Sequence, residues 1–342
     1  MPLWILPVLL CAFAFSAMGV FWGMRVATRM GVLDLPALPK KNHALPTPLW
    51  GGVAPFLVFI FVAGSVELTT HFFSQGTFSS QTLWGLFGAL FIILIGGMWD
   101  DVKTLPPKIS FLFPVLGAII AVGMGMGVSK ITNPFGDPFV IAASLSAMIT
   151  FTWLLCVAYT TKLLDGVDGL VSGVGMVGAL MITALALTER WYQPDIALLS
   201  LVFFVVLLGV FVWNVAPAKV FLGEAGSIAI GFTLGALSIM GGSKFATLLL
   251  VVGLPALDVA FVMIRRIRAG RSPFHGGDGL HFHTVLQRCG WSARKIAALY
   301  MATAFLFGVT TLLFSSWQKL VVLIILGILA LFGMIFFSRK IV

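Results

Sequence analysis

Charge is the scarcest property of this 342-residue sequence. Only 10% of its residues are Asp, Glu, Lys or Arg, and the acids number twelve. A soluble domain carries about 25% charged residues. With 60% hydrophobic residues and a mean hydropathy of +1.08, a soluble globular enzyme and a disordered chain are both excluded. Cysteine is nearly absent as well. Cys11, Cys156 and Cys289 cannot all pair and have no zinc-ligand spacing, so neither a disulfide framework nor a metal–thiolate site is expected. The alternating polar and apolar rhythm of a membrane β-barrel is missing too, which leaves an all-α polytopic membrane protein.

What is present is a series of apolar runs near the roughly 20 residues that a helical span requires. Eleven are expected: 2–24, 51–68, 82–99, 111–128, 138–158, 167–187, 196–213, 225–241, 245–264, 296–314 and 320–337. No Lys or Arg precedes the first, whereas Arg25 and Arg29 follow it. That pattern reads as an uncleaved anchor with its N-terminus outside, not as a signal peptide. Loops on alternating sides then hold seventeen of the 21 Lys and Arg on one side and four on the other, namely Lys130, Arg190, Lys244 and Lys319. By the positive-inside rule the richer side, with the C-terminus, is cytoplasmic. The net charge of +9 thus reports orientation and anionic partners, not a nucleic-acid surface. The chain reads as one integral-membrane unit, 1–342, in a cytoplasmic (inner) membrane. Its loops 25–50, 100–110, 159–166, 214–224 and 265–295 form the inner face.

Most acids fall on that same face, in distinct motifs. Asp100 and Asp101 stand side by side in Trp99-Asp100-Asp101-Val102-Lys103, at the inner end of the third span. Adjacent carboxylates at a membrane border must be hydrated, paired or metal-bound. Asp165-Gly166-Val167-Asp168-Gly169 opens the sixth span. On a helix these two acids share a face at the N-terminus, where negative charge is favoured. Glu224, in Phe221-Leu222-Gly223-Glu224-Ala225-Gly226-Ser227, opens the eighth span. A single acid there also suits plain helix capping. The loop 265–295 begins with Arg265, Arg266, Arg268 and Arg271 and continues through His275 to His281 and His283. In an extended segment the last two imidazoles point the same way, a donor-rich arrangement for phosphate. The first inner loop carries Lys40, Lys41 and His43 beside Pro46, Pro48, Gly51 and Gly52.

Carboxylates suited to Mg²⁺ beside cations suited to phosphate are the two halves of a phosphoryl-transfer site. A transporter would instead place acids near the bilayer midplane, and only Asp258, off-centre in the ninth span, comes close to that. A transporter and an inactive lipid-phosphate binder remain the readings from other classes.

In this order the motifs resemble the polyprenyl-phosphate N-acetylhexosamine-1-phosphate transferases, a glycosyltransferase family 4 type. The resemblance runs from about residue 25 to 295: Asp34, Pro36, Lys41, His43, Pro46, Pro48, Gly51 and Gly52, then Asp100-Asp101, then 165–170, then 221–227, then the histidine loop. It is closest to the N-acetylglucosamine-1-phosphate branch, with the muramoyl-pentapeptide branch as the alternative. It implies transfer of an N-acetylamino-sugar 1-phosphate from a UDP-sugar to a polyprenyl (undecaprenyl-type) phosphate, with release of UMP. Mg²⁺, or Mn²⁺ in its place, would assist, and a homodimer is implied. Asp100, Asp101, Asp165 and Asp168 are then the expected catalytic acids, with Asp101, Asp168 and Glu224 holding metal. Lys41, His43, Lys103, Lys162, Arg265, Arg271, His281 and His283 are the expected substrate-binding set. The chain departs from the usual family residues at Tyr159 and Lys162, where Asn is common, and at Glu224, where Asp is.

Overall fold

The computed structural model describes residues 4–36, 45–133, 135–242, 244–271 and 280–338. Lys40, Lys41, His43, His275 and Asp278 lie outside the described residues.

Helix α1 (Ile5–Met30) leads into a two-residue hairpin of β1 (Leu33–Asp34) and β2 (Thr47–Pro48). Three helices follow: α2 (Val53–Thr70), α3 (Ser80–Lys103) and α4 (Pro107–Gly123). A second small hairpin, β3 (Lys130–Ile131) and β4 (Phe139–Val140), precedes α5 (Ala143–Leu164) and α6 (Leu170–Ala186). Next come α7 (Pro194–Asn214), α8 (Gly223–Met240), α9 (Phe245–Val251) and α10 (Gly253–Arg268). A short α11 (Phe282–Arg288) then leads to α12 (Ala293–Leu313) and α13 (Ser316–Ser338). Eight of these helices are long and apolar enough to cross a membrane.

Each expected span meets a helix, with three instructive differences. The fifth starts later than expected, at Ala143, because Phe139 and Val140 are used in the hairpin with Lys130 and Ile131. The sixth begins at Leu170, leaving Asp165 and Asp168 in the preceding turn. The ninth is broken: α9 and α10 meet at a 79° bend around Val252-Gly253. Pro255 is the reason, since a proline there has no N–H for the carbonyl of Val251 and its ring would press on it.

The centre of the molecule is α8. Every residue of it except Glu224 is buried, as expected of a helix that is apolar on all sides. Its neighbours approach closely through small residues. A side chain on Gly52 would meet the Cα of Gly226 at 2.2 Å, and one on Gly97 would meet the Cα of Ala225 at 2.3 Å. Farther along, Thr161 Oγ1 donates to the Ser227 carbonyl at 2.8 Å, tying α5 to α8. These contacts bring the last turn of α3, the end of α5 and the first turn of α8 to one place.

Candidate active site

Asp100 and Asp101 occupy the last turn of α3, and the structure separates their roles. Asp100 accepts hydrogen bonds from the Leu105 N–H (2.7 Å) and the Ser110 hydroxyl (2.6 Å), so it fixes the turn into α4. Asp101 points the other way, to α8. Its Oδ1 accepts the Glu224 N–H at 2.9 Å. Its Oδ2 is buried and has no hydrogen-bond partner among the described residues. That approach requires glycine at 223, because a Cβ there would sit 2.4 Å from Asp101 Oδ2 and the residue has φ +73°.

Glu224 stands in the first turn of α8, at the positive end of that helix. Its carboxylate is paired with Lys162 at 2.8 Å, and the Lys162 ammonium also lies over the Tyr159 ring. Two of the positions where the chain departs from the family pattern therefore touch each other: a cation on the last turn of α5 answers the longer acid on α8.

Asp165 and Asp168 do not share a helix face. Asp165 caps the end of α5, and Asp168 lies in the turn before Gly169, which takes a left-handed conformation to start α6. Gly166 and Gly169 let the backbone turn before a helix is established, and the helical expectation fails there. Asp168 Oδ2 accepts the Ala218 N–H at 2.9 Å, which ties this turn to the loop after α7. Asp165 keeps one side open to water while protein encloses the rest. Lost hydration, then the carboxylates of Glu224, Asp101 and Asp168, push its pKa up to about 8. The acids that act on Asp165 come from three chain segments.

The histidines reach this site by an unexpected route. His281 is the N-cap of α11 and His283 is already helical, so the segment is not extended. The two rings nonetheless lie nearly parallel, 9° apart with centroids at 5.6 Å. Asp258 arranges them. It is buried in α10; its Oδ1 accepts the Phe282 N–H at 2.8 Å, and its Oδ2 lies 3.1 Å from His281 Nδ1 and 4.0 Å from His283 Nδ1. With Nδ1 turned to Asp258, His283 Nε2 lies against Gly166, within 2.7 Å of where a Cβ would stand. Burial, reinforced by His281, pulls the His283 pKa down to about 4, so this ring is neutral and buttresses the Asp165 turn.

Sequence reading missed three residues that build the site. Asp258 was visible only as an acid in an apolar helix. Asn214, buried, accepts from Ser172 Oγ at 2.7 Å and donates to the Val220 carbonyl at 3.0 Å, shaping the 214–222 loop. Arg294 donates from Nε to the Ala216 carbonyl at 2.7 Å and anchors the same loop to α12. Of the remaining expected residues, Lys103, Arg265 and Arg271 are exposed, and Arg265 lies over the Phe261 ring. Lys103 follows Asp100 and Asp101 closely on α3. The first inner loop docks onto α8: the Gly51 and Gly52 N–H groups donate to the Phe221 and Leu222 carbonyls at 2.9 and 3.1 Å.

The family model of glycosyl transferase family 4 matches residues 83–242, the stretch that holds all five of Asp100, Asp101, Asp165, Asp168 and Glu224. A decaprenyl-phosphate N-acetylglucosaminephosphotransferase of Mycolicibacterium smegmatis is 30% identical over 307 residues, covering 81% of this chain and 74% of that one. The chain belongs to glycosyl transferase family 4. Other members are similar over most of their length. A probable undecaprenyl-phosphate N-acetylglucosaminyl 1-phosphate transferase of Bacillus subtilis is 29% identical over 88% of this chain and 83% of its own. A phospho-N-acetylmuramoyl-pentapeptide-transferase of Enterococcus hirae is 29% identical over 89% and 95%.

Among the described residues no three His, Cys, Asp or Glu side chains form a group that could hold a metal ion by themselves, so the expected Asp101, Asp168 and Glu224 are not brought together as a three-ligand set. The donor set is of a different kind: one orphaned carboxylate oxygen on Asp101 and mutually repelling carboxylates around it. Oxygen donors of this kind fit a hard divalent ion that takes only one or two protein carboxylates.

Proposed function

We propose that the chain transfers N-acetylglucosamine 1-phosphate from its UDP-sugar to a polyprenyl phosphate, of the undecaprenyl type, giving a polyprenyl-diphospho-sugar and UMP. The observation that carries this is the hydrogen bond from the Glu224 N–H to Asp101, with Lys162, Asp165 and Asp168 around it. Motifs distant in sequence meet there as one acidic cluster with an internal cation. The names of the relatives supply the acceptor class and the amino sugar.

In the reaction an oxygen of the lipid phosphate attacks the phosphorus that carries the sugar. The bond from that phosphorus to the UMP oxygen breaks, and UMP departs with the electron pair. A phosphate monoester with a second pKa near 6 is mostly ionised at neutral pH. Positioning and charge neutralisation therefore matter more than a strong base. Mg²⁺, with Mn²⁺ as a substitute, would neutralise pyrophosphate charge; Asp101, whose Oδ2 has no hydrogen-bond partner among the described residues, would hold it with one neighbouring carboxylate, Asp168 or Glu224, and the substrate phosphates. Lys162 holds Glu224 in place and offsets part of the acidic charge. Asp100 sets the α3–α4 turn and so aims Asp101. His281, fixed by Asp258, presents its Nε2 as a phosphate contact, while His283 supports the Asp165 turn.

The seventeen-to-four distribution of Lys and Arg supports eleven crossings, an outside N-terminus, and a site on the cytoplasmic face of the inner membrane. The bent α9–α10 pair counts as one crossing, and the 17-residue helices α4 and α6 as one each. The lipid substrate then reaches the site sideways from the bilayer. The test is UMP release by purified protein with Mg²⁺, undecaprenyl phosphate and a panel of UDP-sugars, including the muramoyl-pentapeptide donor. Release with UDP-N-acetylglucosamine that disappears in Asp101→Asn supports the reading. Release only with the pentapeptide donor assigns the other branch. No release from folded, lipid-binding protein refutes transfer altogether.

A further inference from the structure

A second cationic site lies at the inner end of α1. Phe21, Met24, Arg25, Thr28 and Arg29 of that helix, with Pro48 of β2 and Lys219 of the 214–222 loop, line a cavity of about 430 Å³. Three of the seven lining residues are cations and none is an acid; Asp34, paired with Thr47 across the hairpin, is not among them. Two of the cations lie over aromatic rings. The Arg25 guanidinium sits 4.2 Å from the Phe21 centroid and 5.2 Å from that of Trp22, and the Lys219 ammonium 5.3 Å from that of Trp213. Phe21 and Trp213 lie 5.8 Å apart and form the wall between them. Beside the cavity Met18, Trp22 and Val26, at four-residue spacing, expose apolar surface outward from the bundle.

Each feature is one half of an amphiphile's site. A fork-shaped guanidinium pair with an ammonium suits a phosphate. Tryptophan at the membrane–water border suits the glycerol and headgroup level. An exposed apolar strip continuing along the helix suits acyl chains, which a soluble phosphate does not have. We propose that this cavity binds the phosphate of an anionic glycerophospholipid that is not a substrate. Its far wall gives it a connection to the reaction site: Lys219 follows Ala218, whose N–H holds Asp168, and the Lys219 N–H itself donates to the Trp213 carbonyl at 2.8 Å. An occupied cavity therefore steadies the loop on which the Asp168 contact depends.

The test is native mass spectrometry of delipidated full-length protein titrated with phosphatidylglycerol, phosphatidylcholine, inorganic phosphate or undecaprenyl phosphate. The readout is binding, independent of transfer. Tighter retention of phosphatidylglycerol than of phosphatidylcholine is expected, weakened at least about tenfold in the triple variant Arg25→Gln, Arg29→Gln, Lys219→Gln. Unchanged thermal unfolding of that variant in phosphatidylcholine nanodiscs shows that it is folded; if the triple variant unfolds, the double variant Arg25→Gln, Arg29→Gln is read in its place. Equal phosphatidylglycerol binding by wild type and variant overturns the proposal. So does full displacement by inorganic phosphate, which would make the site one for soluble anions. Displacement by equimolar undecaprenyl phosphate would make it part of the substrate's path and equally overturns it.

Discussion

At the scale of single residues the site depends on which oxygen faces which partner. Asp101 gives one oxygen to the Glu224 N–H and keeps the other buried and unbonded, whereas both oxygens of Asp100 are occupied by Leu105 and Ser110. The two neighbours should therefore fail differently. Asp101→Asn is expected to lower kcat for UMP release by about 10²–10³, the scale of losing one charge-stabilising group in a preorganised site. Asp100→Asn should reduce both kcat and thermal stability, because it loosens the α3–α4 turn. Steady-state kinetics beside a melting curve for each variant separates the two. Asp258 acts only through other residues: it bonds His281 Nδ1 and the Phe282 N–H at the start of α11. Asp258→Asn keeps the shape and loses the charge that holds His281. A drop of about 10–100-fold in kcat/KM, the usual scale for a ligand's outer partner, is expected. A conservative Asp258→Glu variant that recovers less than the wild type but more than Asn would mark the effect as orientation.

At the scale of elements, glycine contacts decide whether the motifs meet. Gly52 and Gly97 face backbone atoms of Gly226 and Ala225, which cannot swing aside as a side-chain end can. Gly52→Ala and Gly97→Ala should each cost about 1–3 kcal/mol by overpacking and abolish UMP release, since α8 would be pushed from α2 or α3. Gly123→Ala, at the end of α4 with nothing within 4 Å of the added methyl, is the control and should leave both stability and activity intact. These contacts explain what the sequence could and could not disclose. The spans were legible because apolar length alone specifies a membrane helix. The Gly51-Gly52 pair was legible as a motif, but its purpose, two backbones meeting at α2 and α8, is a distance between segments and leaves no local pattern. The helical face expected for Asp165 and Asp168 failed for a local reason, the glycine after each. The extended histidine segment failed as well: His283 is helical, and the two rings are parallel without strand alternation, with His281 bonded to a buried acid on α10.

At the scale of the whole molecule, four carboxylates meet at the ends of helices that surround a nearly charge-free core. Asp168 belonged visibly to a motif, yet its bond to Ala218 needs the Asn214 and Arg294 contacts, both of which look like ordinary helix-end residues in the sequence. The collective property is charge, and it has a measurable pH signature. Lost hydration on its enclosed side and the three neighbouring acids raise the Asp165 pKa from 3.8 to about 8. A folded pKa above the unfolded one favours the protonated fold. Its stabilising contribution is complete below about pH 4 and is lost as pH rises through about 8. A divalent cation bound there, as proposed, would replace that proton and relieve the same repulsion, so its binding would release protons and strengthen with pH. The protein without metal should therefore melt at a lower temperature at pH 8.5 than at pH 6.5. The increase in melting temperature on adding Mg²⁺ should be larger at pH 8.5. Asp165→Asn should reduce both differences, because the amide carries no proton to exchange. Differential scanning fluorimetry of wild type and variant, at both pH values with and without Mg²⁺, checks all three. An Mg²⁺ shift that is equal at the two pH values, or unchanged in Asp165→Asn, would separate cation binding from this acid cluster.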